Sequence, residues 1–356
     1  MKTKIAIIGG FLGAGKTTLA TKLAIEFKKK GKSVAIITND QGEVLVDTQF
    51  VESKGIDVAE VLRGCFCCNF NDFVRNARML AAASRPEIIL AEPVGSCTDL
   101  LATVVLPLKT LYPKEFEVAP LTVLVDSSSV SDDLMNSSSP GDYLRRHQIM
   151  EAETLVLSKV DLVSDSEIPK LVDLVRKINK DANIVPYSAV NGMGFESIVK
   201  RIESAEVSGR CPVDIDYDVY ATAEAQLGWY NGSFSFVLND KIDTYGLAVD
   251  VLKAISQHYR SEDIAHVKLL LKTQSNALKV SLVQGNIVVD GIKGSRYGSG
   301  ESSLVLNARV ISAPEILKDV IRKSVNSSLE RIEAKVMNVK DDSFSPMRPN
   351  PQYRMS

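Results

Sequence analysis

The sequence lacks an excess of charge of one sign, and it lacks a long apolar run. Among its 356 residues, 42 lysines and arginines stand against 44 aspartates and glutamates, a formal net charge of −2 at pH 7. This near balance excludes the strongly basic composition of a nucleic-acid-binding protein. No apolar run reaches about 18 residues, so no membrane-spanning helix is expected. The run 5–8 is too short for a signal-peptide core, and we therefore expect a soluble, cytoplasmic protein.

Cysteine and histidine are also scarce, and their positions are informative. Five cysteines at irregular positions do not look like a disulfide framework. In a reducing compartment, closely spaced cysteines more often indicate metal or redox chemistry. The three histidines, His147, His258 and His266, are scattered, which is more typical of core or surface residues than of metal ligands.

The pattern of apolar segments predicts an α/β protein with two domains. Over residues 1–204, short apolar strands alternate with amphipathic helices, which predicts a mostly parallel sheet covered by helices on both faces. This alternation of strands and helices is lost over residues 205–228, which we interpret as a linker. Residues 229–336 follow with a strand–helix–strand–strand–strand–helix order, whose last helix is predicted from 313 to about 336. Residues 337–356 contain three prolines and few aliphatic side chains, and we predict that they are disordered.

The most specific motif follows the first predicted strand. Residues 9–18 read GGFLGAGKTT and match the phosphate-binding P-loop pattern. Glycines permit positive φ angles and bring backbone N–H groups close to phosphate oxygens. Lys16 supplies charge to the β- and γ-phosphates, Thr17 can bind Mg²⁺, and the helix that begins there directs its N-terminus at the same anion. The predicted nucleotide-binding residues of this loop are Gly10, Gly13, Ala14, Gly15, Lys16, Thr17 and Thr18.

A second motif, SKVD at residues 158–161, suggests which base is bound. It follows the apolar strand 154–157 and so lies at the carboxyl end of a parallel strand, where ligands bind in α/β sheets. Asp161 can accept hydrogen bonds from guanine N1–H and N2–H₂, whereas adenine would leave it unpaired. The order and spacing favour GTP over ATP; the alternative is an ordinary loop that starts the next helix. The predicted base-binding residues are Ser158, Lys159, Asp161, Ser188 and Ala189.

Two further segments are candidates for the switches of a nucleotide hydrolase. The strand 88–91 ends in Glu92, which we expect to hold Mg²⁺ together with Thr17, and the N–H of Gly95 would sense the γ-phosphate. Asp40, at the end of the second strand, is predicted to orient the attacking water. A role of Asp40 as a turn cap, and Gln41 as the water-orienting residue, remain alternatives. Lys16, Asp40 and Glu92 are thus the predicted catalytic residues.

The sequence GCFCC, residues 64–68, predicts a transition-metal site. In extended backbone Cys65 and Cys67 point one way and Cys68 the other, so one metal takes all three only if the chain turns. The following helix would lower the thiol pKa of the last cysteines. Thiolates suit Zn²⁺, Cu(I) or Co²⁺ rather than Mg²⁺. Glu43 is a predicted oxygen ligand and Cys97 a further sulfur; a dithiol redox site and structural cysteines are the alternatives.

The location of these cysteines predicts coupling between metal and nucleotide. They lie in the sequence between segments 39–43 and 92–95, the two candidate switches. If a γ-phosphate that tightens the switches changes the metal affinity, the metal must by linkage change the nucleotide affinity.

Taken together, these motifs resemble the CobW-type metallochaperone GTPases, relatives of HypB and UreG. The resemblance covers roughly residues 1–202 and implies a GTPase that binds Zn²⁺ or Co²⁺ and delivers it to a client protein or cofactor pathway, such as a corrinoid-related one. It also implies Cys65, Cys67 and Cys68 as metal ligands, with a nucleotide-dependent homodimer as a further option. Many members carry glutamate where this chain has Thr38, phenylalanine at Gln41 and a histidine-rich tract. The second domain is near, but not equal to, the family's usual ferredoxin-like order.

Two other functions remain open from the sequence. A P-loop kinase that phosphorylates a small molecule would explain the phosphate loop but leaves the three clustered cysteines without a role. A non-catalytic metal buffer would use the nucleotide only as an affinity switch and would show no turnover.

Overall fold

The computed structural model describes residues 2–40, 56–62, 65–137, 139–204, 210–283 and 285–356. For Asp40, Glu60, Leu62 and Pro140 it describes the backbone alone. The described residues form two units, of which the first extends to Ala223 and also contains Arg348–Ser356, while the second contains Glu224–Met347. Among these residues no helix combines the length and the apolar character needed to cross a membrane.

The first unit is built from strands that alternate with helices, as predicted. Its described strands are β1 (Thr3–Gly10), β2 (Val34–Asp40), β3 (Asp57–Leu62), β4 (Ile88–Glu92), β5 (Phe116–Val118), β6 (Thr122–Asp126), β7 (Thr154–Ser158) and β8 (Asn183–Tyr187). Its described helices are α1 (Lys16–Lys29), α2 (Phe70–Ala83), α3 (Leu106–Leu111), α4 (Pro140–Glu151), α5 (Ile168–Ile178), α6 (Phe195–Glu203) and α7 (Tyr217–Ala225), the last of which runs across the unit boundary. A π-helical turn, Leu101–Val105, leads into α3.

These strands form one parallel sheet, which confirms the predicted fold class. The order of the described strands is β3-β2-β4-β1-β6-β7-β8, with the short β5 also pairing with β1. Strands β4, β6 and β7 are buried along their whole length, because helices cover both faces of such a sheet. The carboxyl ends of the strands therefore meet at one edge, where the loops that follow β1, β4 and β7 come together.

The second unit is an antiparallel sheet with two helices. Its described elements are β9 (Leu227–Asp243), α8 (Thr244–Ser256), β10 (Ile264–Lys272), β11 (Asn276–Val283), β12 (Asn286–Gly294), β13 (Tyr297–Ile311), α9 (Pro314–Glu330) and β14 (Lys335–Phe344). The sheet order is β12-β11-β10-β13-β9-β14. Both helices contribute to one apolar core with the strands, including Leu252, Phe236 and Ile321. Without the β11–β12 pair, the order is the β-α-β-β-α-β of ferredoxin-like folds.

The structure differs from the predicted segment boundaries near both ends of the second unit. The predicted linker 205–228 contains α7 and the beginning of β9, since Tyr220 of that helix is buried against Phe11 and Leu144. The last helix ends at Glu330 rather than near residue 336, because Glu333 adopts a positive φ of 52° and the chain reverses there.

The segment predicted to be disordered, 337–356, is instead part of both units. Strand β14 pairs with β9 along its length. The carboxylate of Asp341 accepts two hydrogen bonds from Arg322, at 2.6 and 2.7 Å, and one from the Tyr230 hydroxyl at 3.0 Å. These contacts order a strand that has few aliphatic residues, because backbone pairing and buried polar partners replace the missing apolar burial.

Candidate nucleotide and metal site

The loop between β1 and α1 has the geometry of an anion-binding loop. Gly10, Gly13 and Gly15 have φ angles of 130°, 78° and 94°. A Cβ atom at Gly10 would lie 2.3 Å from the carbonyl oxygen of Leu124, so only glycine fits between these two strands. Gly15 is the N-cap of α1 and provides no side-chain cap, which leaves the first N–H groups of the helix directed at the loop.

Lys16 and Thr17 begin α1 beneath this loop, and both are buried. The Lys16 Nζ donates a hydrogen bond to the carbonyl oxygen of Phe11 at 3.2 Å, so the ammonium group faces the loop. The Thr17 hydroxyl donates to Glu92 Oε1 at 2.9 Å. Glu92 is the last residue of β4 and is itself buried. A hydroxyl and a carboxylate side by side form the oxygen pair that Mg²⁺ prefers, so the chemistry of these donors fits the ion.

The loop after Glu92 packs directly against Lys16. A Cβ atom at Gly95 would lie 2.9 Å from Lys16 Nζ and 2.7 Å from a methyl carbon of Leu12, so the backbone of Gly95 approaches the phosphate loop as closely as a glycine allows. Its carbonyl oxygen accepts a hydrogen bond from Gln148 Nε2 at 3.0 Å, and the same nitrogen donates to the carbonyl oxygen of Cys97 at 2.8 Å. Gln148, on α4, thus fixes the loop between the phosphate site and the cysteines.

Glu151, on the same helix, is a buried acid beside that loop. Its Oε1 accepts a hydrogen bond from the Thr98 hydroxyl and its Oε2 one from the N–H of Leu101, each at 3.0 Å. Burial raises the pKa of the Glu151 carboxyl from its ordinary 4.5 to about 8. The folded chain therefore keeps a proton at this carboxyl in a pH range where the unfolded chain has lost it.

This linkage predicts a specific pH dependence of stability. Because the folded pKa of Glu151 is raised, the free energy of unfolding should fall as the pH rises from about 4.5 to about 8. Glu151→Gln keeps the neutral shape without an ionisable group, so we expect a shallower fall. The free energy of unfolding is measured for wild type and variant near pH 5.5 and near pH 8.5, by urea unfolding monitored with far-ultraviolet circular dichroism. Equal pH slopes in wild type and variant would contradict the assignment; Glu167→Gln, at an exposed glutamate, is the control.

The first candidate switch is described only in part. Strand β2 ends at Asp40, and its residue Thr38 is the register partner of Glu92. The backbone of Asp40 therefore lies at the same sheet edge as the Thr17–Glu92 pair. The side chain of Asp40, and the whole of Gln41 and Glu43, lie outside the described residues. Their predicted roles remain predictions.

The SKVD loop is tied to both the phosphate loop and a neighbouring strand. The Ser158 hydroxyl donates to the carbonyl oxygen of Ala14 at 2.9 Å. Lys159 adopts a positive φ of 59°, and its Nζ pairs with Asp126 Oδ2 at 2.7 Å. This pair holds the lysine stem in place at the end of β7. Asp161 follows in a short 3₁₀ turn and its side chain is exposed, which leaves its carboxylate accessible to a base.

Ser188, after β8, forms a turn at the other side of this loop. Its buried hydroxyl accepts hydrogen bonds from the N–H groups of Val190 and Asn191, at 3.1 and 3.2 Å. Ala189, which follows Ser188 in this turn, is half-buried. The strand before this turn, β8, is the neighbour of β7 in the sheet, so the two predicted base-binding segments follow adjacent strands.

The three clustered cysteines come together in a turn before α2. Cys65 Sγ lies 2.6 Å from Cys67 Sγ and 3.2 Å from Cys68 Sγ, and the last two sulfurs are 3.8 Å apart. The chain turns because the N–H of Asn69 donates to the carbonyl oxygen of Cys65 at 2.9 Å. The sequence left open whether all three sulfurs could converge; in the structure they all lie within 4.8 Å of one another. Such a set of thiols fits a thiophilic metal ion.

The pKa values of these thiols differ from the expectation drawn from the helix dipole. Hydrogen bonds from the thiols of Cys67 and Cys68 hold the pKa of Cys65 well below its usual range. The same bonding to Cys65 raises the pKa of Cys67, and raises that of Cys68 to about 11. The thiol with the lowered pKa is therefore that of Cys65 and not those of Cys67 and Cys68, because hydrogen bonds from the neighbouring thiols favour the Cys65 thiolate.

Cys97 links the cysteine turn to the loop beside the phosphate site. Its side chain is 1% exposed and hydrogen-bonds with the side chains of Cys65 and Cys67. Since Cys97 lies two residues after Gly95, the loop that packs on Lys16 also reaches the sulfur cluster. Cys97 was predicted from the sequence as a further sulfur. Gln148, Glu151 and Asp126 were not predicted, because their roles depend on contacts between elements that are distant in the sequence.

Comparisons with known proteins place the motifs in a wider group. A family model described as "CobW/HypB/UreG, nucleotide-binding domain" matches residues 4–186. The chain is 29% identical over 265 residues to the zinc chaperone CobW of Sinorhizobium sp, which covers 64% of this chain and 73% of that protein. It is 27% identical over 195 residues to the zinc chaperone YjiA of Escherichia coli K12, which covers 53% of this chain and 58% of that protein.

Solved structures give a weaker likeness. The structure of HypB from Helicobacter pylori in complex with nickel matches with a TM-score of 0.43 and 17% identity, covering 56% of this chain and 84% of that chain. The Zn(II)-bound YjiA GTPase from E. coli matches with a TM-score of 0.41 and 16% identity, covering 91% of this chain and 99% of that chain. Both TM-scores are below 0.5.

Proposed function

The chain belongs to the CobW/HypB/UreG family of nucleotide-binding proteins, and on that premise we propose that it is a GTP-hydrolysing metallochaperone whose cargo is Zn²⁺. The observation that carries the proposal is the convergence of three cysteine sulfurs beside a loop that packs on the P-loop lysine. Two relatives with sequence similarity to this chain are named zinc chaperones. The matched region spans 73% of the length of the first relative and 58% of that of the second.

The nucleotide binds with its phosphates over the N-terminus of α1. Backbone N–H groups of the loop and the ammonium of Lys16 hold the β- and γ-phosphates. Thr17 and Glu92 hold Mg²⁺, which when bound neutralises charge that develops on the phosphates. The carboxylate of Asp161 accepts hydrogen bonds from the guanine base, and Ser188 and Ala189 offer N–H groups to its O6.

Hydrolysis requires a residue that orients the attacking water. Asp40, at the end of β2, is the proposed residue, since its backbone lies at the same sheet edge as Glu92. Gln41 remains the alternative. The N–H of Gly95 would contact the γ-phosphate, and the loss of that contact after hydrolysis would release the loop that carries Gly95 and Cys97.

The metal cargo is held by Cys65, Cys67 and Cys68. Thiolate ligands select Zn²⁺ or Co²⁺ over Mg²⁺, and the thiols must lose their protons when the metal binds. We propose Zn²⁺ as the physiological cargo, with Co²⁺ and a corrinoid-related client as the alternative. A client metalloprotein, a nucleotide-dependent homodimer, an oxygen ligand from Glu43 and a cytoplasmic location remain proposals.

The function is tested by linkage between the two ligands. We expect the zinc affinity of the purified chain to differ by about tenfold or more between the GDP-bound form and a form bound to a non-hydrolysable GTP analogue. The reason is that Gly95 and Cys97 share one loop, so a contact at the γ-phosphate shifts a side chain that hydrogen-bonds with the metal ligands. Competition with a chromophoric zinc chelator measures this affinity in each nucleotide state.

Two outcomes would contradict the proposal in different ways. Equal zinc affinity in both nucleotide states would remove the coupling between the sites. Strong coupling without release of phosphate from GTP would indicate a nucleotide-switched metal buffer rather than a GTPase. A reciprocal titration, in which zinc changes the affinity for the analogue by the same factor, is the internal control, since linkage requires it.

A further inference from the structure

The segment Arg348–Ser356 returns from the second unit to the first and lies along the cysteine turn. The N–H of Asn350 donates a hydrogen bond to Cys68 Sγ at 3.2 Å. Two residues later, the N–H of Gln352 donates to the carbonyl oxygen of Cys67 at 3.0 Å. The segment therefore contacts both a thiol and the backbone of the cysteine cluster. We call residues 348–356 the strap.

The strap also completes the helix that follows the cysteines. The N-cap residue of α2, Asn69, makes no side-chain capping bond. Instead Gln352 Oε1 accepts a hydrogen bond from the N–H of Asn71, in the first turn of α2, at 2.8 Å. The ring of Tyr353 packs edge-on against Phe70, with the ring centroids 5.3 Å apart. The cysteine turn and the first turn of its helix are thus held from the same side.

Beyond these contacts, the strap is anchored to the loop that carries Cys97. The guanidinium of Arg354 pairs with Asp99 Oδ2 at 2.8 Å, and the side chain of Asp99 is 3% exposed. Asp99 adopts a positive φ of 62° and also accepts a hydrogen bond from the Tyr217 hydroxyl at 2.6 Å. The N–H of Met355 donates to the carbonyl oxygen of Ala102 at 3.0 Å. The strap thereby joins the cysteine turn to the residues that follow Gly95.

The side on which the strap lies is the accessible side of the cluster. Cys65 and Cys67 are 5% and 2% exposed, whereas Cys68 is half-buried. An ion held by the three sulfurs can therefore be approached mainly from Cys68, and Asn350 lies against that sulfur. A partner that takes the ion has to reach this position.

We propose that the strap retains the metal at the cysteine site, and that its displacement is the step that releases the ion to an acceptor. The inference rests on the proposed function, because it takes the cysteine cluster as the cargo site. The Arg354–Asp99 pair connects the strap to the loop beside Lys16, so the nucleotide state sets how firmly the strap is held. An acceptor with its own thiolates would replace Asn350 beside Cys68 as it takes the ion.

Two pairs of variants distinguish the loss of a specific strap contact from a non-specific effect of substituting a strap residue. In each pair, one variant breaks the contact and the other is its control. Asn350→Pro removes the N–H that bonds Cys68 Sγ, and Asn350→Ala keeps it. Arg354→Gln breaks the pair with buried Asp99, whereas Arg348→Gln breaks an exposed pair with Asp218, which contributes little. We expect Asn350→Pro and Arg354→Gln to release zinc to a chelator about tenfold faster than wild type, and the other two to stay within about twofold.

The experiment uses the full chain, loaded with zinc, mixed with excess chromophoric chelator in the GDP state and in the analogue-bound state. Circular dichroism melts of all four variants verify that the first unit is folded. Release at the wild-type rate from both Asn350→Pro and Arg354→Gln would overturn the proposal. So would equally fast release from Asn350→Ala, since that variant keeps the hydrogen bond.

A metal-free measurement distinguishes failure of the strap from failure of the proposed function. If the wild-type chain holds no zinc, the proposed function fails. The strap is then still tested by the rate at which a maleimide alkylates Cys68, followed by peptide mass spectrometry in a Cys211→Ser background, because Cys211 is exposed. We expect about tenfold faster alkylation in Arg354→Gln and in Asn350→Pro; equal rates would show that the strap does not cover the site.

Discussion

Replacing Cys67 and Cys68 together with serine is expected to lower the zinc affinity of the chain by roughly three orders of magnitude. Serine has nearly the shape of cysteine but a hydroxyl that stays protonated at neutral pH, so two of the three converging sulfurs lose their ability to bind a soft ion. Of the three clustered thiols only Cys65 then remains, and it offers a single ligand. Because the metal site is then lost, the metal affinity should also no longer depend on the nucleotide.

Equilibrium competition with a zinc chelator measures the loss, in the presence and absence of a non-hydrolysable GTP analogue. Cys211→Ser is the matched control, because it removes one exposed thiol outside the cluster. It should bind zinc as wild type does. Retention of wild-type affinity in the Cys67→Ser, Cys68→Ser variant would place the metal elsewhere, and an equal loss in Cys211→Ser would indicate non-specific thiol binding.

The second large effect is expected for recognition of the guanine base of the nucleotide. Asp161→Asn should reduce kcat/KM for GTP by about 10² to 10³, because the amide replaces one acceptor with a donor that opposes the guanine N–H groups. Hydrolysis of ATP, which we expect to be slow in the wild type, should change little. The preference for GTP over ATP therefore falls by the same factor. Release of inorganic phosphate from each nucleotide, over a range of concentrations, measures this preference.

Asp165→Asn provides the control, since Asp165 is an exposed aspartate in the loop that follows. It should keep the wild-type preference. If the wild type hydrolyses ATP as well as GTP, and Asp161→Asn alters neither rate, the guanine assignment is wrong. In that case Asp161 would be an ordinary residue of a helix-initiating loop, which is the alternative that the sequence left open.

The phosphate site was predictable because its determinants are local. The residues of the phosphate loop are close in sequence: Gly10, Gly15, Lys16 and Thr17. The strand before them and the helix after them have clear patterns of apolar residues. The positions of Glu92 and Asp161 were equally predictable from the sequence. Both lie at the carboxyl ends of parallel strands, and these ends meet at one edge of the sheet. The direction of the chain alone places these residues at that edge of the sheet.

The cysteine turn was predictable in composition but not in shape. Alternation in extended backbone places Cys68 opposite Cys65, and the turn that reverses this depends on one backbone hydrogen bond from Asn69. The strap was not predictable at all. Its prolines and polar residues are typical of disorder, yet each of Asn350, Gln352 and Arg354 has a partner in a distant part of the sequence. Contacts of such long range leave no periodic signal.

The strap also fixes the order in which the molecule can be completed during synthesis. A ribosome makes the phosphate loop, the cysteine turn and Asp99 early, and then has to make the whole second unit, Glu224–Met347, before Arg348–Ser356 can emerge. Domains fold as they leave the ribosome, so the parallel sheet forms while α2 still lacks its cap from Gln352. Until the strap has been made, the cysteine turn therefore lacks the hydrogen bonds that Asn350 and Gln352 donate to it.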